Sequence, residues 1–278
     1  NCNATVRRRW HIGINHQNPY FMKRTLLDTA WYLAAFLLIQ YVCMIAAMIG
    51  FQTRDTTPMV NIVSTLAASV ITIALYGWRK WAPLNSRYLN TRPWFTLFWV
   101  ICLTIGSSIP LTAALDATGL QLPEIYKQMF KGMMHNDMGF IAIGVLVPIA
   151  EEMVFRGAIL RRLLDLTGNE KRWIAIVTSA ALFGLVHGNM LQGLNAFAMG
   201  LMLGWMYVRT RSIVPGVVMH LTNNSLSYIM ERMYHGADDM TLREFYGGDM
   251  TRVWLSVVFS LMIFGAALYQ LNMRLKKN

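Results

Sequence analysis

Four polar groups lie where apolar sequence surrounds them: Glu151, His187, His220 and Asn224. A carboxylate and an imidazole can together hold and activate one water, the carboxylate taking its proton and the histidine positioning the water or returning a proton. A second histidine with an asparagine offers donors to a developing oxyanion. The set suits addition of water to a carbonyl, hence amide hydrolysis. The sequence contains no G-x-S-x-G, and no cysteine accompanies the histidines, so a covalent nucleophile is not indicated. Two histidines and a glutamate could instead bind zinc. However, H-E-x-x-H is absent and the ligands would come from three separate helices.

The spacing within each segment adds roles. Glu152 and Arg156 are four apart with the acid first, the favourable order for a helical ion pair. Glu151 projects ~100° away from Glu152 around a helix, so the two carboxylates need different partners. His220 and Asn224 share a face at i,i+4, as do Phe183 and His187, where the phenyl ring can support the imidazole. Pro148, one turn before Glu151, cannot donate to the Gly144 carbonyl, and such a break is tolerated in a membrane where it lines a wet cavity. Asn195 and Asn223 suit helix–helix contacts, and Gly200-x-x-x-Gly204 suits close packing.

The elements that carry these residues are membrane helices. The chain of 278 residues is 55% hydrophobic and 14% charged, where soluble domains carry roughly 25% charge. Eight apolar segments approach the ~20 residues that cross a bilayer: Thr29 to Phe51, Met59 to Trp78, Trp94 to Leu115, Met138 to Leu160, Trp173 to Met190, Leu191 to Val208, Ile213 to Met230 and Val253 to Leu271. The fifth and sixth join with almost no loop. The expected fold is all-α: one polytopic membrane domain over 22–278, with 1–21 as a non-native or disordered extension before Met22.

The net charge of +11 sits in alternate loops, which favours membrane orientation over nucleic-acid binding. Arg79, Lys80, Arg161, Arg162, Lys171, Arg172, Arg209 and Arg211 belong to one set, and Asp116, Glu124, Asp137 and Asp249 to the other. Both termini are expected in the cytoplasm. Short loops and the lack of a targeting segment point to a bacterial inner membrane. Cys43 and Cys102 lie in apolar runs and no metal spacing of cysteines occurs.

Depth unites the polar groups. At ~1.5 Å per residue, Glu151 lies roughly 15 Å from Arg161, His220 roughly 14 Å and Asn224 roughly 20 Å from Arg211, and His187 roughly 22 Å from Arg172. All four fall in one layer about 8 Å thick, and water is expected to reach it from the cytoplasmic side.

"EEMVFRG", "FGLVH" and "HLTNN" resemble the E-E-x-x-x-R, F-x-x-x-H and H-x-x-x-N motifs of the CPBP intramembrane protease family, which includes CAAX prenyl endopeptidases and bacterial Abi-type proteins. The motif-bearing core covers about 138–230, and the eight-span layout is similar to the family's bundle. The resemblance implies a glutamic endopeptidase without a metal cofactor, cleaving a peptide or protein tail. It implies Glu151 as base with His187 on the water, and His220 and Asn224 as oxyanion hole. Glu152, Arg156 and Phe183 would support the site. Zinc dependence with the same residues, or a non-catalytic immunity or scaffold protein, are the alternatives.

Overall fold

The computed structural model describes residues 19–83, 88–168, 170–234, 236 and 240–275, and the described secondary structure is helical throughout. The helices are α1 (Pro19–Gly50), α2 (Pro58–Trp78), α3 (Trp94–Asp116), α4 (Glu124–Met134), α5 (Asp137–Thr167), α6 (Arg172–Leu185), α7 (Met190–Thr210), α8 (Val214–Met233), α9 (Leu242–Phe245) and α10 (Met250–Arg274). Of the expected extension 1–21, residues 1–18 lie outside the described residues and Pro19–Phe21 form the first turn of α1.

Each of the eight apolar segments is helical. Among the described residues five helices are long and apolar enough to cross a membrane: α1, α2, α3, α5 and α10. The fifth expected segment is the exception in length. Its helix, α6, has 14 residues and ends at Leu185, five residues before Met190. Two local signals stop it there. Gly188 has φ of +70°, a left-handed conformation that favours glycine. Asn189 accepts from the Gln192 N–H at 2.9 Å and so caps α7. His187 therefore sits in the turn between two helices, not within a span.

The outer faces of α1, α3 and α10 expose Trp31, Leu38, Phe98, Trp254 and Phe259. Small polar residues are buried instead, and several satisfy themselves on their own helix: Thr29 Oγ1 donates to the Thr25 carbonyl and Thr104 Oγ1 to the Val100 carbonyl, both at 2.9 Å. Apolar outside and self-satisfied polar inside is the arrangement hydrocarbon imposes, because no water is there to complete a backbone or hydroxyl. The protein is an integral membrane protein by this pattern.

Cross-helix bonds define two ends of the bundle. At one end, Arg161 Nη2 donates to the Trp81 carbonyl at 3.0 Å, Arg162 pairs with Asp28, and Arg209 Nη2 donates to Asn272 Oδ1 at 2.9 Å. Arg79, Lys80, Lys171, Arg172, Arg211 and Arg274 belong to this basic end. At the other, Leu242 N–H donates to Asp116 Oδ2 at 2.8 Å, and Arg232 Nη1 to the His135 carbonyl at 3.2 Å. The helix α4 lies at this second end.

One close backbone approach between long helices is α3 on α10. A Cβ on Gly106 would lie 2.5 Å from the Phe264 nitrogen, whereas one on Gly265 would meet nothing within 4 Å. Replacing Gly106 by Leu must push backbone against backbone, and should cost about 1–3 kcal/mol. Gly265→Ala should leave stability unchanged or raise it by up to ~1 kcal/mol. Thermal unfolding of the purified protein in detergent reads both.

Candidate active site

The helix α5 is not regular. Phe140–Leu146 and Met153–Leu160 are π-helical, on either side of the α-helical stretch Val147–Glu152. Wide turns of this kind occur frequently at functional sites. Glu151 and Glu152 end the α-helical stretch, and Arg156 lies in the second π segment.

Glu152 and Arg156 form the expected pair: Nη1 to Oε1 is 2.7 Å, with the side chains 0% and 1% exposed. Three neighbours are shaped around the two charges. The Arg156 guanidinium stacks 4.5 Å from the Phe183 ring centroid and its Nη2 donates to the Gly200 carbonyl at 3.4 Å. Gly200 also faces Ala180, where a Cβ would come within 2.9 Å, and a Cβ on Gly204 would come within 2.9 Å of Ile176. The Gly200-x-x-x-Gly204 pattern thus joins α7 to α6, as its spacing predicts. A Cβ on Gly216 would lie 2.3 Å from Glu152 Oε2, so the carboxylate rests directly against the backbone of α8.

His220 stands one turn beyond Gly216 and meets both carboxylates. Its Nε2 is 3.6 Å from Glu151 Oε2, and its Nδ1 is 3.7 Å from Glu152 Oε1. These separations exceed a hydrogen bond, so the ring is placed but not locked. Glu151 differs from its neighbour in surroundings: its side chain is 14% exposed where Glu152 is fully buried. Adjacent glutamates therefore divide as the helical geometry predicts, with one imidazole between them.

Phe183 holds the histidines relative to Arg156. Its ring meets His187 edge-on at 5.1 Å, His220 at 5.8 Å and Phe155 at 4.9 Å. His187 joins the cluster through this ring, and no ion pair links it to Glu151 among the described residues. Its Nδ1 lies 2.8 Å from the Phe183 carbonyl. A carbonyl only accepts, so Nδ1 carries the proton, and Nε2 of the neutral ring keeps a free lone pair. The turn outside α6 thus presents His187 as a proton acceptor.

Asn224 is tied to α5. Its Nδ2 donates to the Ile143 carbonyl at 2.9 Å, and its Oδ1 accepts from Asn223 Nδ2 at 3.3 Å. The reason lies in the first π segment. Val147 N–H reaches back five residues to the Ala142 carbonyl, and the next residue, Pro148, has no N–H to offer Ile143. The break expected at Gly144 has moved one residue because the local period is wider. One amide hydrogen of Asn224 is used on this orphan, leaving the other.

The packing around Glu151 is tighter toward the basic end. On that side of Glu151, Met153, Val154, Phe155, Ala158, Ile159 and Leu160 are all 0% exposed, as are Leu203 and Met206 opposite them. Toward the α4 end, His187 and every residue of 221–228 are half-buried. Distance from a helix end counts residues and says nothing of which end is packed. Among the described residues no three His, Cys, Asp or Glu side chains converge as a metal-ligand set.

Residues 137–226 match the family model described as Type II CAAX prenyl endopeptidase Rce1-like. The match falls on the motif-bearing segment and leaves the rest of the chain uncovered. That segment starts with α5 and runs into α8, so it contains every residue of the cluster. Over 91 residues the chain is 32% identical to a Bacillus subtilis (strain 168) protein named "Putative membrane peptidase YdiL". The alignment covers 33% of this chain and 36% of that relative, so the chain spans about a third of the relative's length. No solved structure matches.

Gly216, Ile143 and Gly200 are the site residues that spacing did not single out for the cluster. Gly216 stands four before His220, the one signal that it shares that face. Arg156→Met should destabilise the purified protein by about 3–5 kcal/mol, since it strands a buried carboxylate. The double variant Glu152→Gln/Arg156→Met should recover part of that loss. Thermal unfolding of the single and double variants measures it.

Proposed function

We propose that the protein is an intramembrane endopeptidase that hydrolyses a peptide bond with a water activated by Glu151 and His187. The observation that carries this reading is the approach of His220 to Glu151 at 3.6 Å within an Rce1-like segment. Glu151 is the general base, because Arg156 already neutralises Glu152 and leaves Glu151 as the partly exposed carboxylate. His187 offers its Nε2 lone pair to the same water. As the water adds to the carbonyl carbon, its proton passes to Glu151 and negative charge gathers on the former carbonyl oxygen. A ring N–H of His220 and the remaining amide hydrogen of Asn224 donate to that oxygen. The proton then returns to the leaving amine, and the C–N bond breaks. Glu152, Arg156 and Phe183 position these groups without touching the substrate.

The substrate is a peptide or protein tail, and the bundle crosses the bilayer eight times in this reading, with both ends on the basic, cytoplasmic side of an inner membrane. Catalysis requires no resident metal. A zinc-dependent enzyme using the same side chains, and a non-catalytic immunity or scaffold protein, are the rival readings.

Glu151→Gln and His187→Ala should each lower cleavage by about 10²–10⁴-fold, the range of general acid–base contributions, with an unchanged unfolding temperature. The readout is peptides released in cells carrying wild type or variant, compared by mass spectrometry. Wild-type cleavage by Glu151→Gln would overturn the assignment. Stoichiometric zinc in the purified protein, with loss of cleavage on chelation, would favour the metal-dependent rival.

A further inference from the structure

A groove in the wall of the bundle shares no residue with the glutamate–histidine cluster. It runs between α7 and α10, has a volume of about 390 Å³, and is lined by Trp205, Gly265, Leu268, Tyr269 and Asn272. That volume is at the lower end of those that hold a small ligand. Four of the five lining residues come from α10 at i, i+3, i+4 and i+7, so they form one stripe that rises ~10 Å toward the basic end. The groove exists because of a glycine that packing does not require. Glycine weakens a helix interior, and at Gly106 and Gly200 it is matched by a close approach of a neighbouring helix. A Cβ on Gly265 would meet nothing within 4 Å. The other face of α10 holds the helix in place, with Ala267 and Leu271 fully buried. Gly265 therefore leaves space on the side that faces the membrane.

The chemistry along the groove changes in order. Gly265 and Leu268 make its inner part apolar, Trp205 and Tyr269 make the next part aromatic, and Asn272 ends it beside Arg209. Arg209 Nη2 donates to Asn272 Oδ1 at 2.9 Å and Nη1 to the Leu275 carbonyl at 3.1 Å. Its guanidinium carbon lies 5.4 Å from the Trp205 ring centroid. A guanidinium has further N–H groups to give, and no carboxylate pairs with Arg209 among the described residues. The last two turns of α7 and of α10 contain no Asp or Glu. Arg274 turns instead to the Phe95 ring of α3, at 4.3 Å, which leaves Arg209 as the cation of this groove. Apolar, aromatic and cationic groups in that order match a phospholipid from acyl chain through glycerol to phosphate. Tryptophan and tyrosine settle at the headgroup level, and the planar guanidinium suits a phosphate.

We propose that the groove between α7 and α10 is a binding site for one anionic phospholipid, with an acyl chain beside Gly265 and Leu268 and the phosphate on Arg209. An acyl chain is what the bilayer offers to a groove open to hydrocarbon. A cation without a carboxylate partner, set between membrane helices at their basic end, selects a headgroup of net negative charge. A zwitterionic lipid brings its own ammonium beside the phosphate and gains less. The bound lipid joins α7 to α10. Because α7 also carries Gly200, whose carbonyl receives Arg156, the lipid braces the helix on which the buried ion pair leans. The site is independent of the proteolytic reading.

The probes are dioleoyl phosphatidylglycerol and dioleoyl phosphatidylcholine, which differ in headgroup alone, added to the purified protein in a neutral detergent. Native mass spectrometry should show a single phosphatidylglycerol retained per chain. The unfolding temperature should rise more with phosphatidylglycerol than with phosphatidylcholine, since a ligand of the folded state stabilises it. Gly265→Leu fills the groove without removing a bond, and Arg209→Gln removes the cation. Each should weaken retention about tenfold, the scale of one charged hydrogen bond. Arg79→Gln, beside the Trp78 and Trp81 rings, should leave retention unchanged. Equal retention by wild type and Gly265→Leu, equal stabilisation by the two lipids, or the same loss from Arg79→Gln overturns the proposal. So does stabilisation by inorganic phosphate alone, which would give Arg209 a soluble anion. A dimer that Gly265→Leu dissolves would overturn it too, by assigning the groove to a second copy of the chain.

Discussion

Glu152 and Arg156 are both ionisable, both fully enclosed, and four residues apart on one helix. Removing two charges from water costs several kcal/mol each after relaxation, and their attraction offsets this only when the geometry is close and the leftover hydrogen-bonding capacity is met. The surrounding helices answer that requirement in part, since Arg156 Nε and Glu152 Oε2 remain without a hydrogen-bond partner among the described residues. The helix α6 brings the face of Phe183 to the guanidinium, α7 brings the Gly200 carbonyl, and α8 brings a position without a side chain, Gly216, against the carboxylate. Each contribution fixes how near one helix approaches α5. His220 follows one turn after Gly216, and Phe183 lies one turn before His187. The pair proposed to do no chemistry thereby sets the positions of the groups proposed to do it.

A second constraint is the backbone of α5. Hydrocarbon offers no water to an unpaired carbonyl, yet the π segment and Pro148 together leave Ile143 without an intrahelical donor. Asn224 supplies it from α8. The irregular helix and the asparagine depend on each other: a regular α5 would leave the amide without this acceptor, and without Asn224 the break would be buried unpaired. This coupling ties α8 to α5 at two heights, at Glu152 through Gly216 and at Ile143 through Asn224. His220 lies between them, facing both glutamates.

Much of the arrangement was legible in the residues. Charges in apolar segments are rare enough that Glu151, Glu152, Arg156 and the two histidines stood out, and the i,i+4 rule assigned the Glu152–Arg156 pair. The misreadings have physical causes. The apolar run was carried past His187, Gly188 and Asn189, although Gly188 and Asn189 end α6 by backbone conformation and capping. The orphan carbonyl was sought at Gly144 because the α-helical period was assumed where a wider one holds.

By itself the sequence determined which side chains lie in the membrane and which share a helical face, since both follow from hydropathy and a fixed angular period. It also determined that Glu151 and Glu152 point in different directions. Only the tertiary structure decided that one imidazole lies between both carboxylates, that Phe183 bridges His187 to the cluster, and that apolar packing closes the basic end. Those are relations among different helices. They depend on how closely backbones approach at Gly200 and Gly216 and on where each helix stops, and no periodicity within one segment encodes either.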